Sequence, residues 1–142
     1  MLIKIVDDDQ VFVKKIKDIV YDNFKDIFLD YSIECITSNF EAQYFEKGDI
    51  FFLDIDLKEK NGIKIAEEIR ENNSNAIIIF VSAMNDMIFD SLIVQPFYFI
   101  RKDNFDRDMK IACTLIQKYI NKNHKIITFD FNGKKIAIQL SD

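Results

Sequence analysis

A doubly wound α/β sandwich, built on a five-stranded parallel sheet in the flavodoxin-like order 2-1-3-4-5, is the fold this sequence predicts. Two observations carry the prediction. Short apolar runs alternate along the chain with stretches whose apolar residues recur at helical spacing. The strand-like runs are apolar throughout instead of alternating with polar residues, the pattern of strands covered on both faces. Right-handed crossovers leave few other ways to wind such a chain.

Leu2 to Val6 is the first strand and runs directly into Asp7, Asp8 and Asp9. Phe12, Ile16, Val20 and Phe24 then recur every four residues, with Ile19 beside them, as one face of a helix, and Asp9 stands where the N-cap belongs. Tyr31 to Thr37 is a second strand and Asn39 to Glu46 a short helix. Ile50 to Asp54 is the third strand, and Gly62, Ile65, Ala66 and Ile69 mark the next helix. Ala76 to Val81, "AIIIFV", is a fully buried fourth strand. Met84 to Val94 is expected as a helix, Phe97 to Arg101 as the fifth strand, and Asp103 to Asn121 as a long final helix.

Beyond that helix two β-type runs, "KIITFDF" and "KKIAIQLSD", flank Asn132-Gly133, a dipeptide that supplies the positive φ angles of a tight hairpin turn. A hairpin alone is marginal in water. The expected division is therefore one domain over residues 1–122 and, over 123–142, the start of a second domain that is incomplete here.

A chain of 142 residues with 49% apolar composition can bury a core without staples. Cys35 and Cys113 lie far apart in apolar runs, with no metal-type spacing, and are expected to be buried small hydrophobes of a reduced, cytoplasmic protein. The acid after "MLIKIV" excludes a signal peptide, and no run approaches the ~20 apolar residues that span a bilayer. A formal net charge of −5 argues against nucleic-acid binding by this piece alone, although Lys118, Lys122, Lys125, Lys134 and Lys135 make the C-terminal end locally basic.

In sheets of this type ligands sit at the carboxyl ends of the strands, beside the topological switch. The first strand ends on Asp7 and Asp8, the third on Asp54, the fourth on Ser82 and the fifth on Lys102, so three acids, a hydroxyl and an amine converge from distant parts of the chain. Clustered carboxylates raise one another's pKa or recruit a cation. Oxygen donors without His or Cys point to Mg2+, which favours one or two carboxylates with water and phosphoryl oxygens. Such an ion offsets the acidic charge and lets a phosphoryl group approach an aspartate nucleophile. Lys102 and Ser82 stand where they could hold its oxygens. Asp54 is the acid hardest to explain otherwise, because an unpaired carboxylate after "FFL" is expensive to bury. His124, in the polar "NKNHK" stretch, is expected to be a solvated loop residue.

Five separated stretches, in order, then resemble the receiver domain of two-component response regulators: "IKIVDDDQ", "FFLDIDL", "NGIKIAEEIR", "IIIFVSA" and "VQPFYFIRK". The resemblance implies that Asp54 is the phosphoacceptor and that Asp8, Asp54 and the main-chain carbonyl of Asp56 bind Mg2+, with Asp7 acting through water. It further implies that Ser82 and Phe99 are switch residues, that Lys102 pairs with the phosphoryl group, and that the output surface is the fifth strand with the helices on either side of it. A sensor histidine kinase is the implied partner, and a phosphorylation-dependent homodimer is possible. The fifth strand and the terminal hairpin resemble those of regulators carrying a LytTR-type DNA-binding domain, which implies that DNA is contacted only through that domain and that the protein is a signalling module, not an enzyme beyond self-catalysed phosphotransfer and autodephosphorylation.

Two features depart from the family pattern. Asp103 follows the lysine where proline is usual, so a trans Lys102–Asp103 bond is expected. The loop "DLKEKNG" lacks the usual Pro or Gly before Asn61. Two other functions fit parts of the pattern. "DIDLK" is similar to the Asp-x-Asp-x-Thr motif of haloacid-dehalogenase-like phosphohydrolases, with Asp54 and Asp56 in the catalytic roles, but Lys58 takes the threonine position. A degenerate receiver serving only as a binding module would leave the filled acidic positions unexplained.

Overall fold

The computed structural model describes residues 1–26 and 30–141, with the backbone alone for 124–129, 131 and 137–141. Five parallel strands, β1 (Leu2–Val6), β2 (Ser32–Ile36), β3 (Ile50–Leu53), β4 (Ile77–Ser82) and β5 (Tyr98–Arg101), form one sheet in the order β2-β1-β3-β4-β5. The order is the expected one. Helices α1 (Gln10–Phe24), α2 (Gly62–Asn72), α3 (Ile88–Ser91) and α4 (Phe105–Asn123), with short 3-10 turns, connect the strands and cover both faces.

The apolar strands feed two cores. Along β3, Ile50 and Phe52 join the face covered by α1 and α4, while Phe51 and Leu53 join the face covered by α2. Along β4, Ile77, Ile79 and Val81 face the first core and Ile78 and Phe80 the second. A side chain that points to either face of these strands meets apolar cover, which is why the runs show no alternation. The register aligns Ile5 with Phe52 and Leu53 with Phe80, and it carries Ser82 level with Arg101, so the strand ends carrying Asp7, Asp54, Ser82 and Lys102 share one edge.

Three expectations about elements are corrected. The Met84 to Val94 helix is broken into a 3-10 turn (Asn85–Met87), the single turn of α3 and a second 3-10 turn (Leu92–Val94). Only Ser91 and Val94 of this stretch are buried, too few for a helical stripe, and Ser91 Oγ donates back to the Ile88 carbonyl at 2.6 Å. The Asn39 to Glu46 helix is reduced to a 3-10 turn over Ala42–Phe45. Here Asn39 is left-handed (φ 50°) and Glu41 extended, which lets Phe40 and Phe45, five residues apart, both reach the core. In α1 the buried residues are Val13, Ile16, Val20 and Phe24, and Phe12 stays half-buried above the carboxyl edge.

Asp9 caps α1 as expected, its Oδ1 accepting the Val11 N–H at 3.0 Å. Cys113 is buried, but Cys35 is exposed, because β2 is an edge strand with little cover. Strands β6 (His124–Phe131) and β7 (Lys134–Ser141) form the expected antiparallel hairpin around Asn132 (φ 51°) and Gly133 (φ 76°). His124 begins β6 and is not in a loop; Asp142, the last residue of the expected hairpin segment, lies outside the described residues. Among the described residues there is no cis peptide bond, and no helix is long and apolar enough to cross a membrane.

Candidate functional site

The carboxyl edge brings Asp7, Asp8, Asp54 and Lys102 together. One carboxylate oxygen from each of the three acids lies within 4.8 Å of the others. Lys102 Nζ donates to Asp54 Oδ2 at 3.0 Å and forms an ion pair with Asp7 Oδ2 at 2.9 Å. Main-chain groups hold the other two oxygens: Asp9 N–H donates to Asp7 Oδ1 at 2.8 Å, and Asp56 N–H to Asp54 Oδ1 at 3.3 Å. Asp7 and Asp54 are buried, at 1% and 4% exposure, while Asp8 is half-buried. The site opens through a cleft of about 300 Å³ lined by Asp8, Asp9, Asp54, Asp56, Lys58, Ala83, Met84 and Lys102.

The energetics follow from packing carboxylates around one ammonium. Burial pushes the Asp7 carboxyl up to about 6, the Asp54 charge adds to the rise, and Lys102 and the Asp9 amide hold it back. Burial pulls the Lys102 ammonium down, but Asp7 and Asp54 outweigh it, leaving the lysine above its ordinary value. Asp7 Oδ2 is fully enclosed, with the Lys102 ammonium at 2.9 Å as its partner. Three acids that offer only oxygen, one oxygen of each within 4.8 Å of the others, fit a hard divalent cation with water in its shell.

Ser82 and Phe99 stand apart from the cleft. Ser82 is fully buried at the end of β4 and its Oγ turns back to accept the Met84 N–H at 3.1 Å. Phe99 is half-buried, packed at 6.1 Å between ring centroids against Phe80. Asp56 is exposed at the cleft, its Oδ1 accepting the Lys58 N–H at 3.3 Å.

Three contributors are not evident in the sequence reading. Gly62 opens α2 so close to β3 that a Cβ there would lie 1.9 Å from the Asp54 carbonyl oxygen, while its N–H donates to the Ile55 carbonyl at 2.8 Å. Glycine at the first position of a helix is a poor helix former, and that was the signal available. Phe12 lies under the Lys102 ammonium at 4.6 Å and meets Phe105 edge-on, walling the lysine from solvent. Arg101 and Asp108 form a two-point ion pair at 2.8 and 2.9 Å, and Asp108 also accepts the Arg101 N–H at 3.0 Å, fixing the strand end that carries Lys102 onto α4. Charges seven residues apart across a strand–helix junction follow no periodicity that would have marked them.

The topology, the acidic edge and its lysine define a phosphorylation-dependent signalling module. Residues 3–114 match the response regulator receiver domain, and the chain belongs to that family. Among curated proteins it is similar to the sensory transduction protein LytT of Bacillus subtilis, 28% identical over 113 residues (77% of this chain, 46% of that one). It is also similar to LytT of Bacillus cereus, 24% identical over 141 residues (99% and 56%). The chain therefore spans about half the length of the curated relatives it matches. Among solved structures it is similar to the response regulator TrrA of Thermotoga maritima in complex with Mg2+ and BeF, at 25% identity and TM-score 0.57 over 80% of this chain and 97% of that one. The phosphohydrolase alternative is not favoured by these relationships.

Proposed function

We propose that Asp54 is the phosphoacceptor of this receiver and that the observation carrying the assignment is the shared Lys102 contact: one ammonium within 3.0 Å of Asp54 Oδ2 and 2.9 Å of Asp7 Oδ2 at the mouth of the acidic cleft. Asp54 Oδ2 has a cation as its partner and Oδ1 an amide, so the carboxylate is oriented before any phosphodonor arrives. Lys102 exchanges a carboxylate oxygen for a phosphoryl oxygen as the phosphoaspartate forms. Asp8 and Asp54, with the Asp56 carbonyl, would hold Mg2+, and Asp7 would act through water; the ion would supply positive charge to offset the repulsion between Asp54 and the incoming group.

Ser82 and Phe99 serve as the switch. Ser82 Oγ accepts the Met84 N–H and keeps its own proton free to donate, but it stands outside the cleft lining, so reaching a phosphoryl oxygen shifts it together with the chain after β4. That chain carries the two most exposed large apolar side chains among the described residues, Phe89 at 82% and Ile93 at 74%, with Leu92 beside them at 54%, which supports the segment before β5, β5 and α4 as the output face and as the contact of a phosphorylation-dependent homodimer. Receiver domains take their phosphoryl group from histidine kinases, and a sensor kinase is the proposed donor here, in the cytoplasm. Autodephosphorylation is the remaining chemistry expected of the site.

Residues 123–142 are proposed as the start of a LytTR-type DNA-binding domain. The alignment to the Bacillus cereus relative runs over 99% of this chain, hairpin included, and that protein is longer. A two-stranded hairpin needs further structure to bury a face. DNA contact would belong to that larger unit.

Incubation with Mg2+ and acetyl phosphate, followed by intact-mass measurement, tests the function. The wild type is expected to gain a single phosphoryl group, Asp54→Asn none, and Asp56→Asn nearly as much as wild type. Rapid multiple turnover that depends on Asp56 would instead establish a phosphohydrolase, and no adduct would leave a binding module.

A further inference from the structure

Lys58 occupies the cleft rim without a part in the roles above. It lies four residues after Asp54 in an exposed loop and has a left-handed backbone (φ 60°), unusual for a residue with a side chain. The loop holds it there: Lys58 N–H donates to Asp56 Oδ1, Glu59 N–H to the Leu57 carbonyl at 2.6 Å, and Leu57 N–H to the Lys60 carbonyl at 3.3 Å. Strain of this kind persists where the surroundings over-determine it, often beside a working site. It places Lys58, with Asp56 and Met84, on both the acidic cleft and an adjoining cleft of about 280 Å³. Among the described residues Lys58 makes no ion pair, whereas the Lys102 ammonium is engaged by Asp7 and Asp54.

The cleft is hostile to anions. Asp8, Asp9 and Asp56 line it together with Asp54, and among the described residues the one other lysine of the lining, Lys102, is already paired. A divalent cation on the inner acids leaves the rim charges of Asp9 and Asp56 standing. We propose that Lys58 is a specificity-determining residue that draws dianionic phosphodonors into the cleft. This rests on Asp54 being the phosphoacceptor. With acetyl phosphate, Asp54 Oδ forms the new P–O bond as the P–O bond to acetate breaks, the electron pair leaving with acetate; the carboxylate and the dianion become an aspartyl phosphate dianion and acetate. Lys58 acts on the approach of the dianion and forms no bond in this step.

The test compares wild type, Lys58→Asn and Lys58→Arg with dianionic acetyl phosphate and monoanionic phosphoramidate, in Mg2+, at low and high salt. Asparagine tolerates the left-handed backbone while removing the charge, and arginine keeps the charge. Lys58→Asn is expected to lower the second-order rate of phosphorylation by acetyl phosphate about threefold to tenfold at low salt. The loss falls on half-saturation and not on the limiting rate, and it shrinks at high salt. Phosphoramidate should lose clearly less, and Lys58→Arg should recover the wild-type rate. An equal loss with both donors, no loss, or no recovery by arginine overturns the proposal while leaving the Asp54 assignment standing. A wild type that accepts a phosphoryl group from neither donor overturns both.

Discussion

Asp7 shows how far a single carboxyl can be bent to serve a cluster. It is 1% exposed and ion-paired, yet burial and Asp54 together carry it from 3.8 to about 6. In the metal-free fold this residue keeps its proton more tightly than in the unfolded chain. Its favourable contribution is therefore fully present below 3.8 and is lost as the pH rises through about 6. Thermal melts in chelator across that window should show wild type losing stability relative to Asp7→Asn as the pH rises; parallel curves would contradict the assignment. Lys102 is the counterpart. Lys102→Met leaves Asp7 and Asp54 facing one another without a cation, and breaking a buried pair of this kind should cost about 3 kcal/mol in urea unfolding of the metal-free protein at pH 7.

At the scale of elements, the site depends on helices being pressed against strand ends. Gly62 makes the N-terminus of α2 touch the main chain of Asp54, with Asn61 Oδ1 capping the Ile63 N–H at 2.8 Å. Gly62→Ala forces main chain to move, since the obstructing atom is a carbonyl oxygen; a loss of ~2–3 kcal/mol in denaturant unfolding and weaker Mg2+ binding are expected. Arg70 of α2 performs a comparable task for the segment before β5. Its guanidinium donates to the carbonyls of Val94 at 2.8 Å and Gln95 at 3.0 Å, and to those of Ser74 and Ala76. Arg70→Met should accelerate amide hydrogen exchange at Gln95 and Phe97 while leaving β1 and β3 protected.

For the whole molecule, the alternation of apolar runs and helical stripes made the sheet order and five strands readable, because burial on both faces writes itself into every strand. The convergence of Asp7, Asp8, Asp54 and Lys102 was readable for the same reason: once strand ends are known, topology sorts them onto one edge. What escaped were contacts that depend on three-dimensional closeness without a period. Phe12 was assigned to the helical stripe of α1, although it covers Lys102. The helix expected over Met84 to Val94 is broken, and its apolar residues Phe89, Leu92 and Ile93 face outward. Exposed apolar residues read in sequence like apolar residues placed for a core.

The division between receiver and hairpin also belongs to this scale. If β6 and β7 belong to a separate unit, a chain ending at Asn123 should take up a phosphoryl group from acetyl phosphate at the wild-type rate. A large loss would tie the hairpin to the receiver.

The most direct test of the central claim is to locate the phosphoryl group chemically. Protein phosphorylated with acetyl phosphate and Mg2+ is reduced with borohydride, which converts an aspartyl phosphate into homoserine, and the peptides are sequenced by mass spectrometry. Homoserine at position 54 alone is the expected result. Homoserine at Asp56, Asp8 or Asp7, or its absence from a chain that carries phosphate, would contradict it.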